Sequence, residues 1–275
     1  MLSAVFSFKL PEISSSKILR DLIRSFAIER PVPLHTSPSW DLDVVLKSLA
    51  SSSYEPLSSL SLRSLTKKTL FLVALATAKR VGELQALASR VAFQGKDLVV
   101  SYSPHFVAKT ETESNRLPRH FVIPALSSFA PDFDESSWLC PVRAVRAYLD
   151  LTKKIPARAS SLFISPKRPT RPLSKNAISF FLRETISGAG ALRVSEGRLL
   201  RAHSIRGVST SVAFFKNCSV SKVLEAATWR SNSIFASFYL KDIQYVFDNC
   251  KSLGPVVAAG TVLDLGGRPG GPPQS

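Results

Sequence analysis

The apolar positions of this chain first fall into helical periods. Leu19, Leu22, Ile23 and Phe26 recur at three- and four-residue intervals, which predicts a helix over Ser16–Ile28, ended by the proline-containing run ERPVPLHTSP. Leu42, Val45, Leu46 and Leu49 share one face of a second helix over Trp40–Ala50. After a serine-rich connection around Pro56, LTKKTLFLVALATA gives the strongest helix, from about Ser64, and RVGELQAL begins another after a short turn. Leu70–Ala78 is the longest apolar run, broken by Thr77 and leading into Lys79–Arg80. A membrane span needs about 20 apolar residues, so this is read as a buried core helix.

The period then drops to that of strands. DLVVSYS, HFVAKT and RHFVIPA are short, rich in β-branched and aromatic residues, and separated by polar connections, which predicts a small antiparallel sheet. Beyond an acidic loop at Asp132–Glu135, CPVRAVRAYLDLT returns to helical spacing through Val142, Val145 and Leu149. SLFIS has the length of a short strand, and Ser174 is placed to cap a helix through Ile178, Phe181 and Leu182. GAGALRVSEG breaks that helix and leads into the stretch Arg201–Tyr239; the end of the chain, from Gly254, has the glycine- and proline-rich composition of a disordered tail. The expected fold class is α+β, mostly helical with a three-stranded antiparallel sheet set between helices.

Charge narrows the partner. Lysine and arginine exceed aspartate and glutamate by 36 to 20 over 275 residues, a net +16, which favours a polyanion: nucleic acid or an anionic membrane surface. The three cysteines are widely spaced with no CxxC pair, which argues against a disulfide scaffold or zinc site and for a reducing compartment. The four histidines show no metal-binding spacing and the glycines form no phosphate-binding loop, so no metal and no nucleotide cofactor is expected. Residues 1–15 carry one basic residue and no apolar core of a signal peptide.

The candidate chemistry lies in RAHSIRG and ATWRSNSIFASFYL. His203 and Arg206 are three apart and would project from one helical face; Trp229 and Tyr239 follow, the tyrosine among Ile234, Phe235 and Phe238. A tyrosine attacking a phosphodiester needs cationic, bidentate donors for the non-bridging oxygens and a general acid for the leaving oxygen. Arg80, presented by the end of an apolar core helix, is the second clamp; Lys109, in the sheet region, is the candidate acid, with Lys96 as the alternative. Taken singly, each has an ordinary structural reading: a solvated helix end, an exposed polar face, a core tyrosine, a surface lysine. Their order along the chain is what points to phosphate chemistry.

LATAKRVGELQAL resembles the first arginine motif of the tyrosine recombinases, the phage-integrase family. AHSIRG resembles their His-x-x-Arg box, and Trp229 to Tyr239 resembles the box that ends in the nucleophile. LCPVRAVRAYL and FVAKT make the chain look most like the eukaryotic members carried by DIRS-type retroelements and Cryptons. Over Pro38 to Cys250, the resemblance implies a catalytic domain (residues 37–250), preceded by a remnant or linker of a core-binding region (1–36) and followed by the tail (251–275). It implies that Arg80 and Arg206 clamp the scissile phosphate, Lys109 protonates the 5′-oxygen, His203 assists at the nucleophile, Trp229 donates its indole N–H, and Tyr239 forms a 3′-phosphotyrosyl bond. Glu83 would orient its neighbours. Lys167, Arg168, Arg171, Arg198 and Arg201 would contact the phosphates of double-stranded DNA. The implied enzyme is a nuclear integrase of a mobile element, tetrameric on DNA, needing neither metal nor ATP; a type IB topoisomerase-like activity and a DNA-binding module without catalysis are the alternatives. Ala-Lys stands before Arg80 where bacterial members commonly have Gly-Leu.

Overall fold

The computed structural model describes residues 16–29, 40–109, 111, 118–128, 138–192, 200–215 and 218–227. The chain divides into two compact units, Met1–Thr36 and Ser37–Ser275. In the first, helix α1 runs over Lys17–Glu29 and leaves Ile18, Leu22 and Phe26, four residues apart, exposed along one stripe.

The second unit is built around one buried helix. Helix α2 (Leu42–Leu49) starts at Asp41, whose carboxylate accepts from the backbone of Asp43 and Val44. Helix α3 (Leu62–Thr77) starts at Ser61, whose hydroxyl accepts from the N–H of Ser64, and buries Leu65, Thr66 and every residue from Lys68 to Ala74. A helix buried nearly all round through Lys68–Ala74 must be surrounded. Helix α5 (Pro141–Thr152), helix α6 (Lys175–Gly188) and helix α7 (Ser204–Phe215) pack against it. Proline at the first turn of α5 and Ser174 at the start of α6 fix those helix ends.

One charged residue of α3 is fully enclosed. Lys68 donates to the carbonyls of Leu49 (2.8 Å) and Tyr54 (3.2 Å) and to Glu55 (2.5 Å), whose carboxylate is also gripped at both oxygens by Arg143 at 2.7 and 2.8 Å. The pair and its second cation tie α2, α3 and α5 together, since every donor has a partner across an element boundary.

The sheet is antiparallel in the order β1 (Leu87–Gln94), β2 (Asp97–Tyr102), β3 (His120–Ile123). Gly95, at φ +61°, makes the tight turn between β1 and β2, and Val100 stands opposite Val91 and Phe121. Along β2, Leu98, Val100 and Tyr102 are buried while the intervening residues are half-exposed, the period-two pattern of a sheet with one covered face.

Two expectations are corrected here. An unexpected strand, Leu87–Gln94, precedes DLVVSYS, which is the second strand rather than the first, so RVGELQAL shrinks to a one-turn helix α4 (Val81–Gln85) that passes directly into the sheet. HFVAKT is not a strand: Tyr102 already bonds Arg119 and Ser103 bonds Ala86, which closes the sheet before His105. SLFIS forms isolated bridges at Ser161 and Ile164. Helix α8 (Val220–Ala227) is the last described element. Among the described residues no helix is long and apolar enough to cross a membrane. Residues 228–275, including the expected tail, lie outside the described set.

Candidate active site

The site begins where α3 stops. Ala78 adopts a left-handed conformation (φ +50°, ψ +26°), ending α3 with its N–H bonded to the carbonyl of Ala74 and turning the chain sharply into α4. Across this turn Lys79 points inward and Arg80, the N-cap of α4, stays partly exposed. Glu83, three residues on, reaches back: one carboxylate oxygen accepts the backbone N–H of Arg80 at 2.6 Å, and the other accepts Arg80 Nη1 at 3.4 Å.

Arg206 arrives at the same carboxylate from α7. Its Nη1 stands 3.7 Å from Glu83 Oε2 and donates to the carbonyl of Ala78 at 3.0 Å; its Nη2 donates to the carbonyl of Ala227. Arg206 is 2 % exposed and Glu83 also 2 %, so this is a desolvated pair, whereas Arg80 keeps 23 % of its side chain open. Position 206 is held from behind. Ser209 donates to the carbonyl of Leu75 in α3. Buried Trp40 donates its indole N–H to Ser204 Oγ at 2.8 Å, and that hydroxyl donates to the carbonyl of Arg201 at 2.7 Å, which fixes the first turn of α7.

Lys79 completes the cluster. Its ammonium donates to the carbonyl of Ala226 at 3.1 Å and lies 4.9 Å from the centre of the Phe121 ring on β3. Burial holds its pKa below the ordinary lysine range; Glu83 opposes that shift, and Arg206 and Arg80 add to it. Three cations thus gather around one carboxylate. Tyr102, at the end of β2, packs against Phe106 and Phe121, and its buried hydroxyl has no hydrogen-bond partner among the described residues. Burial, and then Glu83, push the Tyr102 pKa upward, with Arg206 acting the other way.

The sequence candidates distribute unevenly about this centre. Arg80 and Arg206 converge with Glu83. His203 is exposed in the turn just before α7, which begins at Ser204, and Arg206, three residues on, is buried. Lys109 is exposed in a turn closed by the N–H of Glu111 on the carbonyl of Ala108, and Glu111 accepts from Arg119 at 3.1 Å. Lys96 stands apart, exposed at the β1–β2 turn. Lys167, Arg168 and Arg171 are exposed on a compact turn in which Ser165 and Arg171 bond through their backbones. Arg201 is exposed beside α7. Trp229, Tyr239 and Arg198 lie outside the described residues.

Sequence reasoning left three residues of this neighbourhood without a role: Lys79, Tyr102 and Lys175, whose Cε lies 3.6 Å from where a Cβ on Gly82 would stand. The signal for Lys79 was its place beside Arg80; the other two carry none, because only the fold brings them near. Among the described residues no group of three or more His, Cys, Asp or Glu is placed to hold a metal ion.

The fold has solved counterparts. XerA recombinase matches over 86 % of this chain and 67 % of its own, with a TM-score of 0.50 and 19 % identity. XerH site-specific recombinase bound to palindromic difH substrate matches over 74 % of this chain and 50 % of its own (TM-score 0.49, 14 % identity). A lambda integrase dimer bound to a COC′ core site matches over 90 % and 81 % (TM-score 0.46, 17 % identity). The chain therefore spans about two thirds of XerA and half of that XerH protein. No protein-family model matches the chain, and no curated protein matches it either. The described α+β unit has the fold of a tyrosine-recombinase catalytic domain.

Proposed function

We propose that this chain is a DNA strand-transferring tyrosine recombinase, the integrase of a mobile element akin to DIRS-type retroelements and Cryptons, acting in the nucleus on double-stranded DNA as a homotetramer. The observation that carries the reading is the convergence of Arg80 and Arg206, from distant parts of the sequence, on the single buried carboxylate of Glu83. Two guanidiniums fixed relative to one another, one open to solvent, form a ready-made clamp for a phosphate whose charge grows in the transition state.

In this reading Tyr239 attacks phosphorus, the bond to the 5′-oxygen breaks, and a 3′-phosphotyrosyl ester takes its place. Lys109 gives the departing 5′-oxygen its proton, and His203 takes the proton of the tyrosine hydroxyl. A 5′-hydroxyl of another strand reverses the step. Each bond broken is replaced by an ester of similar energy, so no step requires metal or nucleotide. Trp229 donates its indole N–H to the phosphate. Lys167, Arg168, Arg171, Arg198 and Arg201 bind flanking phosphates and give a salt-dependent affinity. The XerH and lambda integrase structures are described as DNA complexes, and the lambda enzyme also as a tetramer on a Holliday junction, which accords with the partner and assembly proposed.

The test is a nicked suicide DNA substrate that traps a covalent protein–DNA adduct. The wild type should form it and Tyr239→Phe should not; an adduct that persists in Tyr239→Phe overturns the nucleophile assignment. Joined products from two duplexes mark recombination, relaxation alone marks a topoisomerase-like activity, and tight binding without cleavage marks a binding module.

A further inference from the structure

The chain leaves α8 at Ala227, two residues before Trp229 and twelve before Tyr239, so whatever fixes that helix end fixes the origin of the nucleophile segment. The last carbonyls of a helix have no partner within it. Here two consecutive ones, of Ala226 and Ala227, are each capped by a cation from a different element: Lys79 from the α3–α4 turn and Arg206 from α7. Cations at a helix C-terminus also meet the negative end of its dipole.

Apolar packing at this end is thin. Among the described residues it is a satellite cluster of Ala78, Val223 and Ala227, flanked by Ala213, Phe214, Cys218 and Leu224 and separate from the main core. Two of the three buried members are alanines, so the contribution of burial is small and the charged caps weigh heavily in holding α8.

Lys79 is also an expensive way to fill space. A leucine or methionine at this 9 %-exposed position would pack against Phe121 with no charge to desolvate. The ammonium instead reaches the Ala226 carbonyl and is flanked by Glu83 and the Phe121 ring. It points at a helix end rather than at solvent, which separates its task from that of the open Arg80.

We infer that Lys79 is a positioning residue: its ammonium, acting with Arg206, latches the C-terminal carbonyls of α8 to the Arg80 turn and so sets where the chain departs toward Trp229 and Tyr239. The inference rests on the recombinase reading for its catalytic consequence, while the latch itself is a property of the protein without DNA. Arg206 serves both sides of the arrangement, holding Ala227 and facing the Glu83 carboxylate that Arg80 shares. Loss of the Lys79 cap removes one of the two cations that cap this helix end.

Cys218, two residues before α8 and packed against the same satellite cluster, reports on how often that helix lifts from the cluster. In full-length protein without DNA, modification of Cys218 by a maleimide, followed by cysteine-resolved peptide mass spectrometry, should run about 10-fold faster in Lys79→Met and stay near the wild-type rate in Lys79→Arg, because α8 with its far end uncapped leaves the cluster more often. Lys79→Gln, which keeps a shorter donor, should fall between them and serves if the methionine variant does not fold. On the suicide substrate, the adduct rate at saturating DNA should fall about 10-fold in Lys79→Met, with the half-saturating DNA concentration within about 2-fold of wild type and the rate restored by Lys79→Arg. Unchanged Cys218 modification in Lys79→Met, or in Lys79→Gln should the first not fold, overturns the latch. Slower adduct formation that tracks weaker DNA binding overturns the positioning role. If the wild type forms no adduct, it is the recombinase reading that fails, and the Cys218 comparison still decides for or against the latch.

Discussion

Replacing Glu83 with glutamine keeps the shape of the site and removes the one negative charge at its centre. The amide oxygen can still accept the Arg80 N–H, now held at 2.6 Å, but the new NH₂ group must then face a guanidinium donor that the carboxylate accepted at 3.4 Å. Arg206, 2 % exposed and 3.7 Å from the same oxygen that accepts the Arg80 N–H, keeps its two carbonyl partners and loses its counter-charge; Lys79 loses the group that offsets its burial. A charge-assisted hydrogen bond contributes about 1.5–3 kcal/mol net, and breaking a buried pair costs about 3–5 kcal/mol. Because Arg206 remains bonded to two carbonyls, the lower part of that range applies, and Glu83→Gln should destabilise the protein by about 3 kcal/mol. For a domain of this size that is a fall in Tm of about 6–12 °C. Urea unfolding followed by far-ultraviolet circular dichroism, with the slope of the transition unchanged, is the measure. A loss under about 1 kcal/mol would refute the view that this carboxylate organises the three cations. The same variant should slow adduct formation about 100-fold, since clamp groups displaced by an ångström lose their alignment with the transition state.

Other outcomes follow from the same contacts. Burial pushes the Glu55 carboxyl upward, but its bonds to Arg143 and Lys68 outweigh this and leave its pKa below the ordinary 4.5, so its stabilising contribution is complete above that value and is lost as pH falls through the lower folded one; stability curves below pH ~4.5 should therefore fall more steeply for wild type than for Glu55→Gln, in acid-titrated thermal melts. Tyr102→Phe removes a buried hydroxyl with no hydrogen-bond partner among the described residues and should raise stability by about 1 kcal/mol in urea unfolding; a loss of that size would mean the hydroxyl is satisfied in solution. The triple change Lys167→Ala, Arg168→Ala, Arg171→Ala should lower the slope of log affinity against log salt by about 2–3 in fluorescence-anisotropy titrations on duplex DNA, with little change in thermal stability, because all three side chains are exposed.

The helices were legible because their signals are local. Ser174 caps α6 as its place in the sequence predicts, and the apolar periods of α3, α5 and α6 appear in the sequence as they appear in the fold. DLVVSYS and RHFVIPA were legible as strands, but Leu87–Gln94 was not, and HFVAKT stood in its place. Leu87–Gln94 contains alanine, serine and arginine and becomes a strand because Asp97–Tyr102 pairs with it; HFVAKT has the right residue types and no edge left to join. At the site, Arg80, Glu83 and Arg206 stood out by motif. The start of α7 one residue after His203 did not, because helical spacing alone does not fix a helix boundary. Lys79 and Tyr102 enter only through the packing of α8 and the sheet against one turn, which is a tertiary fact with no sequence period.

The central claim is that Arg80 and Arg206 act as one clamp on one phosphate. A double-mutant cycle on the rate of covalent adduct formation with the nicked substrate, using Arg80→Ala, Arg206→Ala and the pair, tests it most directly. The account predicts strong coupling: each single change removes most of the rate, and the pair is little worse than either, an interaction of about 1.5 kcal/mol or more. Losses that add to within about 0.5 kcal/mol, or single variants that retain wild-type rates, would contradict it.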